Sequence, residues 1–229
     1  MKTGELIQRV QSLYSKGVES DDSRLTNRHI YNKLLTARDS VIFKNKQYSN
    51  MHNKDSIYQI VDCENLEQAN LSDCSCYALN DCYVSKTSCE LPEIKYFNGE
   101  LLIANVSSID GAIRFNKTTF EQFKYIGGNR FTANKPWYFI KNNYLYVSNT
   151  YKMKQIRIKA AFTNPVKAYL YDCKNGTNCK DLYEAEFPVP EEFIDEIISY
   201  AINELVTTLY RTREDLSNDS KDSIIQNSK

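Results

Sequence analysis

The sequence predicts an α+β fold, in which N- and C-terminal helices form a helical bundle and an antiparallel β-rich domain is inserted between them. Three observations carry this. Apolar residues recur every three or four positions from Leu6 to Val41 and again from Ile194 to Leu209, the period of a helix with one buried face. Between these stretches the period shortens to alternating or continuous apolar runs broken by Asn, Asp, Ser and Gly, the pattern of short strands in a sheet. With 229 residues, 41% of them hydrophobic and 12% aromatic, the chain can bury a core in one or two domains and is too apolar to stay disordered. The segments that follow are 1–50 for the N-terminal helices, 51–187 for the β-rich insert, 188–213 for the C-terminal helix and 214–229 for a flexible arm.

The first helix is expected from Thr3 to Lys16, with Leu6, Val10 and Leu13 on its apolar stripe and Ile7 and Tyr14 widening it. Thr3 suits the cap, Glu5 the positive end of the dipole, and Gly17 the stop. A second, longer helix opens at Ser23 and runs to about Phe43 or Lys46, with Ile30, Leu34, Ala37 and Val41 as a narrow seam facing another helix. Strands are expected in Ser56–Val61, Glu93–Phe97 and Glu100–Val106. The strongest strand signal is Trp137–Val147, where two apolar runs flank Asn142-Asn143, residues that tolerate the positive φ of a tight hairpin turn. Lys154–Phe162 follows with Ile156, Ile158 and Ala160 on one face and charges on the other, so three consecutive strands predict a meander. Phe187-Pro-Val-Pro190 is extended, with Pro190 as the first residue of the last helix. That helix is expected to bury Ile194, Ile197, Ile198, Ala201, Leu205 and Leu209, of which Ile194, Ile197, Ala201 and Leu205 are its four bundle positions, facing the seam of the second helix. Beyond it, 215–229 has only Leu216, Ile224 and Ile225 as large apolar residues, a solvated tail when the protein is alone, with Ile224-Ile225 as an anchor for a partner.

Several function classes fall away. The 29 Lys and Arg balance the 29 Asp and Glu, which removes the overall attraction to phosphate of a strongly basic nucleic-acid binder. Met1 to Val10 is broken by Lys2, Glu5, Gln8 and Arg9, so no classical export signal is expected, and no run approaches the roughly 20 apolar residues of a membrane span. The five Asn-x-Ser/Thr sequons, at Asn70, Asn105, Asn116, Asn175 and Asn218, are then a product of composition.

No catalytic constellation is visible. His29 and His52 are the only histidines, and neither has a carboxylate or nucleophile in a catalytic arrangement beside it. Gly127-Gly128 leads towards strands rather than into a helix, so it reads as a turn and not a phosphate loop. Glu191 and Glu192 point about 100 degrees apart on a helix and cannot converge on one pocket. Of the seven cysteines, Cys74 and Cys76 are spaced one residue too closely for a zinc knuckle. Cys173 and Cys179 bracket a five-residue turn that brings them close enough for a disulfide, should the mature assembly leave the cell. No cofactor, no metal and no catalytic residue is expected. An assembly module, which needs complementary surfaces rather than a reactive pocket, fits better than an enzyme.

Thr26–Arg38, Asn129–Thr132 with Trp137–Val147, and Val189–Ile198, taken in order, resemble the virion structural proteins of crAss-like and related short-tailed bacteriophages, in particular the ring or adaptor proteins of the head-to-tail connector. The resemblance covers roughly Leu25 to Tyr210 and lies in the combination and order of these strings. It implies a structural virion protein, assembled in the host cytoplasm, that forms a ring of twelve copies beneath the portal protein. Adjacent tail ring or fibre proteins would be its other partners, and DNA would pass through the channel without sequence-specific binding. A tail-fibre anchor or lower tail ring protein is the alternative, and a small-molecule enzyme a distant one.

Overall fold

The computed structural model describes residues 1–15, 25–47, 54–69, 84–126, 135–148, 153–171 and 181–210, and it is mixed α and β with a large sheet. Its internal contacts divide the chain into two units, 1–52 with 189–229, and 53–188.

The first unit is built from α1 (Thr3–Tyr14), α2 (Asn27–Gln47) and α5 (Ile194–Tyr210). α2 packs along α5, and α1 touches both. Lys33 pairs with Glu204 at 3.2 Å and Lys44 with Glu196 at 3.0 Å, so position rises along α2 as it falls along α5 and the two run antiparallel. Leu6, Ile7 and Val10 of α1, Ile30, Leu34, Ala37, Val41 and Ile42 of α2, and Ile197, Ile198, Ala201 and Leu205 of α5 are buried. Apolar burial at about 25 cal/mol per Å² drives this packing, whereas the exposed ion pairs around it are worth at most about 1 kcal/mol each.

Several boundaries differ from expectation. α1 is capped by Lys2, whose N–H donates to Glu5 Oε2 at 3.1 Å, and Thr3 is already helical and buried. Leu13, expected on the stripe, is 53% exposed, because it lies in the last turn of a helix that ends at Tyr14, beyond the stretch where Leu6, Ile7 and Val10 are covered. For α2 the cap is Thr26, whose Oγ1 and carbonyl both accept from His29 N–H, while Ser23 lies outside the described residues. Pro190 is not the first residue of the last α-helix. It is extended and caps a single 3-10 turn, Glu191–Phe193, from which α5 begins.

The second unit contains β1 (Gln59–Gln68), β2 (Val84–Thr87), β3 (Tyr96–Phe97), β4 (Glu100–Leu101), β5 (Ile103–Ser107), β6 (Asn116–Lys117), α3 (Phe120–Ile126), β7 (Trp137–Lys141), β8 (Tyr144–Ser148), β9 (Gln155–Ala160) and α4 (Pro165–Leu170). Seven strands form one sheet in the order β5-β9-β1-β2-β8-β7-β6, and β3 and β4 form a separate hairpin. β7 and β8 join through Asn142 and Asn143 at φ of 51° and 58°, the mirror-image turn that matches strand twist. β3 and β4 join the same way through Asn98 and Gly99, at φ of 50° and 79°. This Asn-Gly pair is a strong hairpin signal that the reading of separate strand runs passed over.

The expected meander does not form. β9 leaves β8 and pairs instead with β1 and β5, while β1 and β2 come between them. β1 pairs with β9 along Gln59–Asn65 and with β2 from Leu66 to Gln68, and β2 in turn pairs with β8, so β2 occupies the edge that β9 would have needed beside β8. Nor is the sheet purely antiparallel, since β6 runs parallel to β7.

Ile156, Ile158 and Ala160 point into one core with Val106, Leu145, Val147 and Phe162. The opposite face is covered over β7 and β8 by α3. There Phe139 stacks on Tyr146 with ring centroids 4.8 Å apart, and Phe120 and Phe123 lie tilted at 5.5 and 4.9 Å from Phe139. The short helix α4 was not foreseen, although its signal is local: Asn164 Oδ1 accepts from Val166 and Lys167 N–H, and Pro165 occupies the first turn.

Candidate functional site

The residues singled out as a helical seam lie within the first unit. Ile30, Leu34, Ala37 and Val41 are buried on α2, and Ile197, Ala201 and Leu205 are buried on α5. Ile194 begins α5 and is half-buried. Cys173, Cys179, Ile224 and Ile225 lie outside the described residues, as do His52, Gly127-Gly128 and the Asn129–Thr132 string.

Arg38, next to Ala37, points into the same interior and is 1% exposed. Its guanidinium lies 3.9 Å from Asp39. Burial lowers its pKa to about 10, partly offset by the nearby Asp39 and Tyr31, so the group stays charged at neutral pH. A long polar side chain on an apolar stripe gives no sign in the sequence of which way it turns. A buried cation of this kind is weak evidence for stability and better suited to specifying one packing arrangement. His29, one turn before Lys33 on α2, is half-buried, and its Nε2 has no hydrogen-bond partner.

Among the described residues of the second unit one carboxylate is buried. Glu64 sits on β1 immediately after a bulge between Val61 and Glu64, and it is 2% exposed. Tyr171 OH donates to Glu64 Oε2 at 3.1 Å, Cys89 N–H also donates to the carboxylate, and Oε1 has no partner. Desolvation is the larger influence and raises its pKa above the ordinary 4.5, against the pull of the two hydrogen bonds. In the folded state Glu64 therefore holds its proton to higher pH than in the unfolded chain, and its ionisation removes stability as pH rises from about 4.5 through that raised value. Glu64→Gln is expected to flatten the fall in stability across this window, read from urea midpoints at a series of pH values. An unchanged slope would refute the assignment.

The bulge also turns Cys63 outwards at φ 58°, where it is exposed with a free thiol, whereas Cys89 is disulfide-bonded. Treatment of the native protein with iodoacetamide, without denaturant, is expected to label Cys63. Protection of that thiol would contradict its placement.

These parts do not add up to a reaction centre. Glu64 faces a phenol and a backbone amide, Arg38 is buried beside Asp39, and Glu191 and Glu192 are exposed at a helix start. Among the described residues no group of three or more His, Cys, Asp or Glu side chains comes together as a metal set, and no described helix is long and apolar enough to cross a membrane. What the arrangement offers is a set of helices drawn from both ends of the chain, and a sheet unit whose described strands end at β5 and β6.

The family described as phage tail ring protein 2, of crAss-like phages, matches residues 5–224, and the chain belongs to that family. It is a structural, tail-associated protein of a bacteriophage. No curated protein matches it.

Proposed function

From this membership we propose that the protein is a ring or adaptor subunit of the head-to-tail connector, docking beneath the portal and joining it to the tail, with DNA passing through the ring. The observation that carries the reading is the extent of the family match, which spans 5–224 and so includes both the helical unit and the sheet unit. The helices from the two ends form one bundle, and the intervening domain, 51–187, is free to meet neighbouring subunits and tail proteins. Zero net charge suits a channel wall that does not grip passing phosphate.

Native mass spectrometry of the purified protein, with and without portal protein, tests this. A closed ring is expected, with twelve copies as the count that the resemblance implies, and with the portal bound on one face. A stable monomer under both conditions would overturn the ring reading. A ring that ignores the portal and binds a fibre protein would move it to the tail-fibre alternative. Peptide mapping of virions without reduction is expected to recover Cys173 linked to Cys179, and finding both alkylated would remove that bridge. Deletion of 215–229 is expected to leave the thermal stability of the isolated protein unchanged and to weaken ring attachment. The arm carrying Ile224 and Ile225 then acts by partner binding rather than by folding.

A further inference from the structure

Among the described residues the seven-stranded sheet ends at β6, which pairs on one side only, with β7. Asn116 N–H donates to Pro136 O at 2.8 Å and Thr118 N–H to Tyr138 O at 2.9 Å. Alternation along the strand therefore turns the N–H and C=O of Lys117, between them, away from β7. Beside this edge runs a groove of about 550 Å³, bounded by Tyr96 and Leu101 of the β3–β4 hairpin and by Phe120 and Gln122 of α3, with Tyr138 and Ile140 in its floor. Tyr96 at the rim is 63% exposed. Lys117 lines the groove, with its Nζ 3.4 Å from the exposed Glu100, and Lys141 stands beside it, with its Nζ 4.3 Å from the centre of the lining Phe120 ring. An unpaired strand edge beside an apolar trough, with cations beside it, is the geometry that accepts an extended peptide. Backbone hydrogen bonds supply affinity, and pockets for alternate side chains supply selection.

The chain itself contains a segment of matching chemistry. Nineteen residues, 211–229, follow Tyr210, and fully extended they reach about 60 Å, enough to cross to an adjacent subunit. Within 214–222 there are four acids, Glu214, Asp215, Asp219 and Asp222, against the single Lys221, and Ile224-Ile225 follows directly after Ser223. These acids, next to the isoleucine pair, are opposite in sign to Lys117 and Lys141, while Arg211, Arg213 and Lys229 balance them over the segment as a whole. Of two successive residues in an extended strand, one faces the floor and the other faces away, so one isoleucine of the pair fills the apolar trough. β-Branched residues also suit an added strand.

We propose that this groove receives the C-terminal segment of a neighbouring copy of the same chain as an extra edge strand beside β6. The proposal rests on the ring reading and names the contact by which each arm holds its neighbour.

The test uses the full chain, with Ile224 or Ile225 replaced in turn by the photo-crosslinking residue p-benzoylphenylalanine. Each variant is mixed with heavy-isotope protein to separate links between copies from links within one. Native mass spectrometry of the same samples reports whether the ring is present. At one of the two positions, links between copies are expected to fall within 96–103 or 117–122. Tyr96→Asp, a change at an exposed site that spares the core, is expected to lower their yield about tenfold. Links between copies that fall elsewhere, links only within one chain, or no links in an intact ring would overturn the groove assignment and leave the ring reading standing. A monomer without links would overturn both.

Discussion

Phe162→Ala is expected to destabilise the sheet unit by about 3–5 kcal/mol, the range for truncating a buried Phe. Phe162 is fully buried, immediately beyond the end of β9, among Ile156, Ile158, Val106 and Leu145. The backbone around it ties in a separate stretch of chain. Lys95 N–H donates to Ala161 O at 2.8 Å, Ala161 N–H to Leu102 O at 2.9 Å and Thr163 N–H to Glu93 O at 2.9 Å. Those bonds hold the walls in place, so the site cannot collapse around the missing ring, and the cavity adds its own cost to the lost transfer energy. The single tryptophan, Trp137, lies on β7 in this unit, and its fluorescence during urea unfolding reads the midpoint where the change is made. Phe162→Leu, which keeps most of the volume, is expected to cost less than about 1.5 kcal/mol. A midpoint for Phe162→Ala equal to that of the unaltered protein would place Phe162 outside the core.

Leu34→Ala is expected to cost about 2–5 kcal/mol in the helical unit. Leu34 is fully buried near the middle of α2, a helix that packs along α5, and helices as short as these owe most of their stability to such packing rather than to intrinsic propensity. Ellipticity at 222 nm is the suitable probe, because the described α1, α2 and α5 carry 12, 21 and 17 residues against 7 and 6 in α3 and α4. Leu13→Ala serves as the control. Leu13 also belongs to the apolar period of its helix, but it is exposed, and a change there is expected to stay within about 0.5 kcal/mol. If the two variants unfold at the same urea concentration, the seam is not where α2 meets α5.

Local pattern alone was sufficient for the presence of α1, α2 and α5, though not for the exposure of Leu13, and for the turn at Asn142-Asn143 and the inward set Ile156, Ile158 and Ala160. Each is written within a few residues, in a period of 3.6 or 2 or in a tolerance for positive φ, and any reader of neighbouring residues can recover it. The caps of α2 and α4 and the Asn98-Gly99 turn were written equally locally, in Thr26, Asn164-Pro165 and the Asn-Gly pair itself.

The pairing order of the sheet was of another kind. β9 follows β8 in the chain yet pairs with β1 and β5, because a strand's partner depends on which edges the rest of the fold leaves open, and β2, about 70 residues earlier, had taken the place beside β8. The buried polar groups were likewise beyond the reach of pattern. Tyr171, 107 positions away, donates to Glu64, and Arg38 is buried within the helical unit. A polar side chain near an apolar stripe reads the same whether it faces water or not. Only the three-dimensional arrangement of distant partners decides that it is buried, by supplying the hydrogen bonds and charges without which desolvation would expel it.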